Sequence, residues 1–318
     1  MISRDFDEKE IYMTMPRLLE ILLYDNNTKT NIIWGTNNYK KRGPGYGEKD
    51  QITIPLIVNV NSRIIKPRVE KSKSEQSKRS KDNAEVFTPS WVCNKQNNLV
   101  DEAWFGRKEV FNIEQDKTWV VTNFIEFIND KSWKDYVKEL RLEITCGEAP
   151  YIISRYDSVT GEMIDLNNRI GLLDRKIRVI NENALTNDEW LDQVIIAFKS
   201  VYGFEFQGDN LLLARENLVL TFIDYYENRF GFKPSEDLLI KIAEIISWNF
   251  WQMDGIKMVV PYTCHEETIY QLSLFDDVKP DFCKGCRNGN TKDHNGKRCY
   301  VMDWEKNKKV KFLDLMGQ

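Results

Sequence analysis

Residues 142–153 constrain the fold of this chain more than any other segment. They form a short apolar, strand-like run that reaches the acidic side chain of Glu143, turns through Gly147 and continues into a second apolar run. This arrangement is typical of the first βα unit of a parallel sheet, because glycine lets the backbone approach a ligand and the next helix offers free N–H groups. The segment therefore favours a nucleotide-type site on an α/β sheet. A strand that simply turns at Gly147 is the alternative.

Two later segments repeat the arrangement. Residues 201–206 form a strand-like run containing Glu205, and residues 247–255 form an aromatic run that reaches Asp254. In a doubly wound sheet the carboxyl ends of such strands converge on one crevice, where a carboxylate can accept hydrogen bonds from ribose hydroxyls or an adenine amine. We therefore predict an α/β fold with a doubly wound, Rossmann-like sheet. Surface carboxylates that follow strands by coincidence are the alternative.

Local patterns predict further elements around these strands. Apolar residues within 15–23 recur at helical spacing and predict an amphipathic helix. Residues 52–58 look extended, and Pro55 within them favours an edge strand or a strand start. Ser235 is a candidate N-cap for a helix that precedes the third strand, and residues 311–316 suggest a C-terminal strand.

Composition limits the class of protein. The formal charge of −4 does not mark a nucleic-acid binder, so any basic surface must be local. The first ten residues lack the apolar core of a secretory signal, and no apolar run is long enough to span a membrane, so we expect a cytoplasmic protein with no membrane partner. Cysteines in that compartment are free thiols or metal ligands more often than disulfides.

The chain divides into three expected parts. Residues 1–83 form an N-terminal segment that ends in a basic stretch, 63–81, read either as a solvated linker or as a strip that neutralises phosphates. Residues 84–262 form the α/β core, and residues 263–318 form a small Cys/His appendage.

The appendage carries the strongest metal-binding pattern in the chain. Cys283, Cys286, His294 and Cys299 lie close together in sequence and can supply four tetrahedral ligands to a structural zinc ion. Unmetallated thiols are the alternative, and the Cys264–His265 pair can replace one of these ligands. Basic residues surround the cluster and can contact DNA phosphates; they are Lys279, Lys284, Arg287, Lys292, Lys297 and Arg298.

The order of these motifs resembles that of the N6-adenine DNA methyltransferases of restriction–modification systems. Residues 85–89 (EVFTP) are similar to the family segment that lies over the S-adenosylmethionine site, and residues 142–151 are similar to its LDPxxGSGxF motif. Residues 202–205 with 214–218 resemble the family's GxE/D…ARxNL element, and residues 253–255 resemble its third cofactor motif. The resemblance covers roughly residues 84–260.

The resemblance implies roles for the residues at the strand ends. Glu143, Gly147 and Ala149 would line the methionine part of S-adenosylmethionine. Glu205 would hold the ribose hydroxyls, and Asp254 would contact the adenine amine.

Aromatic and N-terminal residues would complete the same site. The resemblance implies that Phe206 packs on the adenine ring, and that Phe87 and Thr88 close the site from the N-terminal side.

The chain also departs from the family pattern. Ile144 stands where the family has proline, and Ala149 followed by Pro150 replaces its second glycine, so the loop should be reshaped. The family's Asn-Pro-Pro-Tyr acceptor motif is missing, and at the nearest match, residues 259–262, Val260 cannot accept a hydrogen bond from the base.

The function implied is therefore an S-adenosylmethionine-binding part of an adenine-specific DNA methyltransferase. DNA would be its substrate, and a partner chain would supply the acceptor motif or the restriction subunit. The alternative is a non-catalytic, degenerate methyltransferase fold that binds DNA or serves assembly, and a weaker one is another nucleotide-binding α/β enzyme. No target-recognition domain is apparent, and no catalytic residue is assigned.

Overall fold

The computed structural model describes residues 7–58, 63–128, 131–268, 280–281 and 283–316. Lys279, one of the basic residues named above, lies outside these ranges. Within them the chain is a mixed α/β structure built from helices, small antiparallel hairpins and one parallel sheet.

The helices of the described residues are numbered in chain order. They are α1 (Glu8–Thr14), α2 (Pro16–Leu23), α3 (Ile54–Val58), α4 (Lys73–Asn83), α5 (Ser90–Phe105), α6 (Trp133–Lys138), α7 (Leu172–Asn183), α8 (Asn187–Lys199), α9 (Gly208–Phe230), α10 (Glu236–Asn249), α11 (Lys284–Asn288) and α12 (Phe312–Leu315). Short 3₁₀ turns lie at Lys40–Arg42, Arg68–Glu70, Leu166–Asn168 and Thr291–Asp293.

The strands are short. They are β1 (Tyr24–Asp25), β2 (Thr30–Asn31), β3 (Asn112–Gln115), β4 (Thr118–Val121), β5 (Arg141–Glu143), β6 (Val201–Glu205), β7 (Phe250–Gln252), β8 (Glu267–Thr268), β9 (Pro280–Asp281), β10 (Tyr300–Asp303) and β11 (Lys308–Lys311). Four antiparallel pairs join β1 to β2, β3 to β4, β8 to β9, and β10 to β11.

The parallel sheet consists of β5, β6 and β7 in that spatial order. Leu142 lies opposite Tyr202 in the first pair, and Phe204 lies opposite Trp251 in the second. The three predicted acid-ended strands are therefore neighbours in one sheet. The strands follow one another in chain order, so the described residues contain no reversal of strand order. The α/β class and a parallel sheet are therefore present, whereas a doubly wound sheet stays a prediction.

Both faces of the sheet are buried against other elements. On one face, Phe250 belongs to the main core, in which α8, α9 and α10 pack against β6 or β7. On the other face, Phe204 and Trp251 belong to a second buried cluster with Val301 and Phe312, from the β10–β11 hairpin and α12.

The N-terminal segment packs into the main core. Leu18, Leu19, Leu22 and Leu23 of α2 are buried there, which confirms the amphipathic helix predicted for this region. The helix also packs against α10 and α9. Residues on both sides of position 84 therefore share one buried cluster, while the boundary itself stays a prediction.

Three predicted elements differ from the structure. Residues 54–58 form helix α3 rather than a strand, and Pro55 lies in its first turn, where the missing N–H removes no helical hydrogen bond. The basic stretch contains helix α4 and is not an unstructured linker. Residues 312–315 form helix α12 rather than a strand, directly after strand β11.

The helix predicted after Ser235 is confirmed. Ser235 caps α10 by accepting a hydrogen bond from the backbone N–H of Leu238, and Glu236 and Asp237 occupy the first turn. None of the helices in the described parts of the chain combines the length and the apolar composition needed to cross a membrane.

Candidate functional site

The carboxyl ends of β5 and β6 are joined by the loop that follows β5. The backbone N–H of Gly147 donates to Glu205 Oε2 at 2.8 Å, and the N–H groups of Phe206 and Gln207 donate to Glu205 Oε1 at 2.9 and 3.0 Å. Three N–H groups therefore converge on the Glu205 carboxylate. A carboxylate offers about four acceptor positions, and these hydrogen bonds use three of them.

Glu143 holds the same loop from the other side. Its carboxylate accepts hydrogen bonds from the backbone N–H groups of Tyr151 and Ile152 at 3.3 and 3.2 Å. Burial raises the pKa of Glu143 to about 8, and the nearby Glu205 adds to the shift. Burial likewise raises the pKa of Glu205. The two acids therefore sit close together in a poorly solvated place.

The loop between them has an unusual backbone. Thr145, Gly147 and Ala149 have φ angles of +47°, +55° and +63°. Ala149 thus adopts the left-handed conformation that glycine takes most readily, at the position where the resemblance implies a glycine. Ala149 is also fully buried, so it shapes the loop and does not itself offer a surface to a ligand.

Phe87 lies next to Gly147 of this loop. A Cβ placed on Gly147 would lie 3.8 Å from the Phe87 ring, and the Arg68 guanidinium stands 5.1 Å from the centroid of that ring. Thr88 contributes its backbone carbonyl, which accepts a hydrogen bond from Ser158 Oγ at 2.7 Å. Phe87 therefore borders the predicted cofactor position, while the Thr88 carbonyl helps to hold the segment in place.

Asp254 follows β7 and is partly buried. Its Oδ1 accepts hydrogen bonds from the N–H groups of Ile256 and Lys257, both at 3.1 Å, and Lys257 Nζ lies 3.3 Å from its Oδ2. The carboxylate is thus partly neutralised by a lysine of its own turn. Asp254 also influences Tyr262, whose pKa is raised to about 12, chiefly by burial and Glu48.

An aromatic pair lies beside these acids. The rings of Phe206 and Tyr262 are 5.7 Å apart in an edge-to-face arrangement, and Tyr262 OH donates to the carbonyl of Gly35 at 2.8 Å. Lys49 Nζ stands 5.5 Å from the Tyr262 ring centroid. The segment 259–262, rejected as an acceptor motif, therefore supplies an aromatic wall next to Phe206 that sequence reasoning did not assign.

A buried ion network supports the EVFTP segment from below. Arg79 of α4 donates to Glu85 Oε2 and to Asp209 Oδ2, both at 2.7 Å, and the three side chains are at most 3% exposed. Tyr39 OH donates to the same Asp209 oxygen at 2.9 Å. Sequence reasoning missed Arg79, because a lone buried arginine in a polar helix leaves no periodic signal.

Glu148 is a second residue that sequence reasoning missed. It is 3% exposed, and its carboxylate accepts a hydrogen bond from Arg68 N at 2.7 Å and one from Tyr156 OH at 2.6 Å. The loop after β5 is therefore held by Glu143, Glu148 and Glu205. The pattern of one acid after each strand revealed only two of the three.

A Cys₃His cluster lies in the appendage. Cys264, Cys283, Cys286 and His294 each offer one ligand atom, and these atoms all lie within 4.8 Å of one another. The three sulfur atoms are 3.6, 3.5 and 3.6 Å from His294 Nδ1. Bonds of about 2.3 Å from zinc to sulfur and about 2.0 Å to nitrogen at tetrahedral angles place sulfur and nitrogen about 3.5 Å apart, so the cluster can hold a zinc ion.

Local structure prepares this cluster. Cys283 Sγ accepts a hydrogen bond from Cys286 N at the start of α11. Although burial opposes it, hydrogen bonds from the N–H groups of Asn295 and Cys286 hold the pKa of the Cys283 thiol below its usual value. A Cβ on Gly285 would lie 2.5 Å from His294 N, so only glycine lets the two segments approach.

Cys299 is not part of the cluster, which corrects its assignment as a ligand. Its Sγ donates to the carbonyl of Gln252 at 3.7 Å, and the side chain belongs to the second buried cluster beneath β7. Cys264, the alternative ligand, takes its place. Cys299 directly precedes β10, and its side chain points to the parallel sheet.

The basic residues around the cluster do not act as one group. Arg298 donates to the carbonyls of Thr291, Lys292 and His294, so its guanidinium is used within the appendage. Lys284 pairs with Asp293 at 3.5 Å. Lys292 and Lys297 have exposed side chains.

Comparisons with known proteins do not assign the chain to a family. No protein-family model matches it, and searches of curated proteins and of solved structures find no significant match.

Proposed function

We propose that this chain is the S-adenosylmethionine-binding part of an adenine-specific DNA methyltransferase of a restriction–modification system. The observation that carries the proposal is the hydrogen bond from Gly147 N to Glu205 with Phe87 lying over Gly147. Three segments that resemble separate methyltransferase motifs thus meet at the carboxyl edge of one parallel sheet. That edge is where ligands bind on open α/β sheets.

The residues at this edge suit the parts of the cofactor. The remaining acceptor position of Glu205 suits a ribose hydroxyl, and the Phe206–Tyr262 pair suits a planar adenine ring. Asp254, at the end of β7, would accept from the adenine amine. Gly147, with the Phe87 ring beside it, would lie against the methionine part. When bound, S-adenosylmethionine supplies the methyl group for transfer to the adenine amine.

The missing acceptor motif would come from a second polypeptide. In a doubly wound sheet of order 3-2-1-4-5, the strand that follows the first three pairs with the outer edge of strand 1, which corresponds to β5 here. Arg141 N donates to Ser200 O, next to its partner Val201 on β6, so Leu142 N–H and C=O point away from β6 toward that outer edge. Leu142 is also 40% exposed. A strand of the partner would complete the sheet at this edge.

A groove beside the outer edge of β5 also suits a partner chain at this edge. It has a volume of about 730 Å³, lies at the amino ends of the strands and is lined by residues that include Leu140, Leu142 and Trp251. Its position, away from the carboxyl edge, argues against it as the cofactor site. An apolar helix that follows the partner's strand would cover it, as helices cover both faces of doubly wound sheets.

The second candidate is a non-catalytic, degenerate methyltransferase fold that binds DNA or serves assembly. It is favoured by the engagement of the Glu205 carboxylate with three backbone N–H groups, which makes it a support for the loop. The zinc site would be structural in either case, because it joins Cys264 to the segment that contains Cys283, Cys286 and His294.

Calorimetric titration with S-adenosylmethionine separates these candidates. We expect binding to the unaltered protein, at least a tenfold weaker affinity for Glu205→Gln, and no change for the matched control Glu162→Gln, whose side chain is exposed. No binding to the unaltered protein, with or without DNA, would refute the cofactor proposal. Binding that survives Glu205→Gln would assign Glu205 to loop support.

A further inference from the structure

Two lysines lie over the ring of Trp248, and a third lysine lies near one of them. Lys29 lies in the turn between β1 and β2, Lys297 follows the Cys₃His cluster, and Lys309 lies in β11. Lys29 and Lys309 lie over the ring of Trp248 at the end of α10, and Lys297 lies near Lys29. We call Lys29, Lys297, Lys309, Trp248 and Tyr24 the Trp248 patch.

Distances define the patch. Lys29 Nζ lies 5.4 Å from the Trp248 ring centroid and 5.9 Å from that of Tyr24. Lys309 Nζ lies 4.9 Å from the Trp248 centroid. Lys297 Nζ donates to Thr28 O at 3.4 Å, one residue before Lys29. Two ammonium groups thus share one indole ring, and a third stands beside them.

Among the described residues, the lysines of the patch form no ion pair with an acid. Burial lowers the pKa of Lys29, and the charges of Lys309 and Lys297 add to that effect. The charge of Asp25 opposes that effect, but its carboxylate is 1% exposed and accepts hydrogen bonds from Asn27 N and Thr28 N. Repulsion among like charges is relieved most directly by a bound anion.

We infer that the Trp248 patch binds the phosphate backbone of DNA. Exposed lysines on a surface neutralise successive phosphates of a duplex without reading its sequence, and the rings between them hold the ammonium groups in one place. A small anion such as inorganic phosphate would use the lysines but not the rings. The choice of DNA over RNA rests on the proposed function. The charge and the rings of the patch indicate a nucleic acid independently of that function.

The patch accounts for how an acidic chain would bind DNA. The net charge of −4 excludes a general basic surface, so binding must come from a local group of cations. In the predicted basic stretch, Arg79 is buried in the ion network and Lys71 Nζ donates to Lys66 O at 2.6 Å, whereas Lys73, Lys78 and Lys81 are exposed. The Trp248 patch differs from these lysines of α4 because two of its cations lie over an aromatic ring.

Fluorescence anisotropy of a labelled DNA duplex of about 20 base pairs tests the inference over a range of salt concentrations. The test variant is Lys29→Gln/Lys297→Gln/Lys309→Gln. The matched control is Lys95→Gln/Lys117→Gln/Lys233→Gln, which removes the same charge from exposed positions elsewhere. Because each phosphate contact contributes about 0.9 to the slope of log affinity against log salt, we expect the test variant to lose up to about 2.7 from that slope and the control to lose little.

Three outcomes would overturn the inference. One is equal slopes for the test variant and the control, and another is no DNA binding by the unaltered protein at low salt. The third is tight calorimetric binding of inorganic pyrophosphate that displaces the duplex, which would assign the patch to small anions. Titration with S-adenosylmethionine is unaffected by these outcomes, so the patch can fail while the proposed function stands.

Discussion

Arg79 offers the sharpest test of how the predicted cofactor site is held together. Replacing it with methionine keeps an unbranched side chain of similar reach but removes the cation that pairs with Glu85 and Asp209 at 2.7 Å. Glu85 begins the segment that places Phe87 over Gly147, and Asp209 lies in the first turn of α9, directly after β6. The substitution therefore disturbs the support of the site without touching its surface.

The expected magnitude follows from burial. The side chains of Arg79, Glu85 and Asp209 are 1%, 3% and 0% exposed. Breaking a buried pair costs about 3–5 kcal/mol, and here two carboxylates lose one cation, so we expect a loss in the upper part of that range at pH 7. Glu85 Oε1 and Asp209 Oδ1 already lack hydrogen-bond partners within the described residues, so few groups can compensate.

The assay is urea denaturation followed by circular dichroism, with Arg17→Met as the matched control. Arg17 pairs with Glu244 at 3.8 Å with side chains 66% and 56% exposed, so its loss should cost less than about 1 kcal/mol. Adding Glu85→Gln and Asp209→Asn to Arg79→Met should recover part of the stability, because uncharged amides are cheaper to bury.

Acidification gives a second readout of the Arg79 substitution. Although burial opposes it, Arg79 and Lys71 hold the pKa of Asp209 below its usual value. Without Arg79 that pKa should rise, so the variant gains stability as its carboxyls take up protons at lower pH. We therefore expect the difference from the unaltered protein to be smaller at pH 5 than at pH 7. A loss at pH 7 no larger than that of Arg17→Met would refute the reasoning.

Three further predictions follow from the site and its surroundings. Cys264→Ser should lower zinc content from about one atom per chain to near zero, whereas Cys299→Ser should retain it; elemental analysis showing the reverse would restore the sequence-based ligand set. Folding raises the pKa of Glu143 from 4.5 to about 8. Its contribution to the free energy of unfolding is therefore fully present below pH 4.5. It falls by about 1.4 kcal/mol per pH unit as the pH rises to 8. In urea titrations, the free energy of unfolding of Glu143→Gln should fall less between pH 5 and pH 8 than that of the unaltered protein. An equal fall in both proteins would contradict this prediction. Gly208→Ala should cost about 1–3 kcal/mol, because its Cβ would lie 2.0 Å from Ile33 O, and an unchanged melting temperature would contradict this contact.

Local signals in the sequence predicted the elements that carry the site. The apolar runs ending near Glu143 and Glu205 are strands β5 and β6, and Ser235 caps α10, because strand alternation and N-capping depend on neighbouring residues. Residues 54–58 were predicted incorrectly as a strand, since Pro55 is compatible with a strand start and with the first turn of a helix. Sequence alone does not decide between them.

The cysteines show where sequence stops being sufficient. Spacing grouped Cys299 with Cys283, Cys286 and His294, but the ligand atoms converge on Cys264, which is 19 positions before Cys283. Sequence proximity favoured Cys299, whereas the turn of the chain toward β10 buries its sulfur against Gln252. Metal-ligand identity depends on distances within a few tenths of an ångström, which only the folded chain defines.

The sequence by itself determined the residue types available for chemistry: acids after parallel strands, an irregular loop at 147–150 and a Cys/His cluster. Tertiary structure decided which of them act together. It placed Gly147 against Glu205, assigned Ala149 to shaping the loop, and buried Arg79 from a stretch that reads as a linker. It also assembled the Trp248 patch from Lys29 and two lysines more than 260 positions later in the chain, Lys297 and Lys309. The physical reason is that strand, helix and turn preferences act over a few residues, whereas burial, ion pairing and ligand convergence depend on contacts between distant segments.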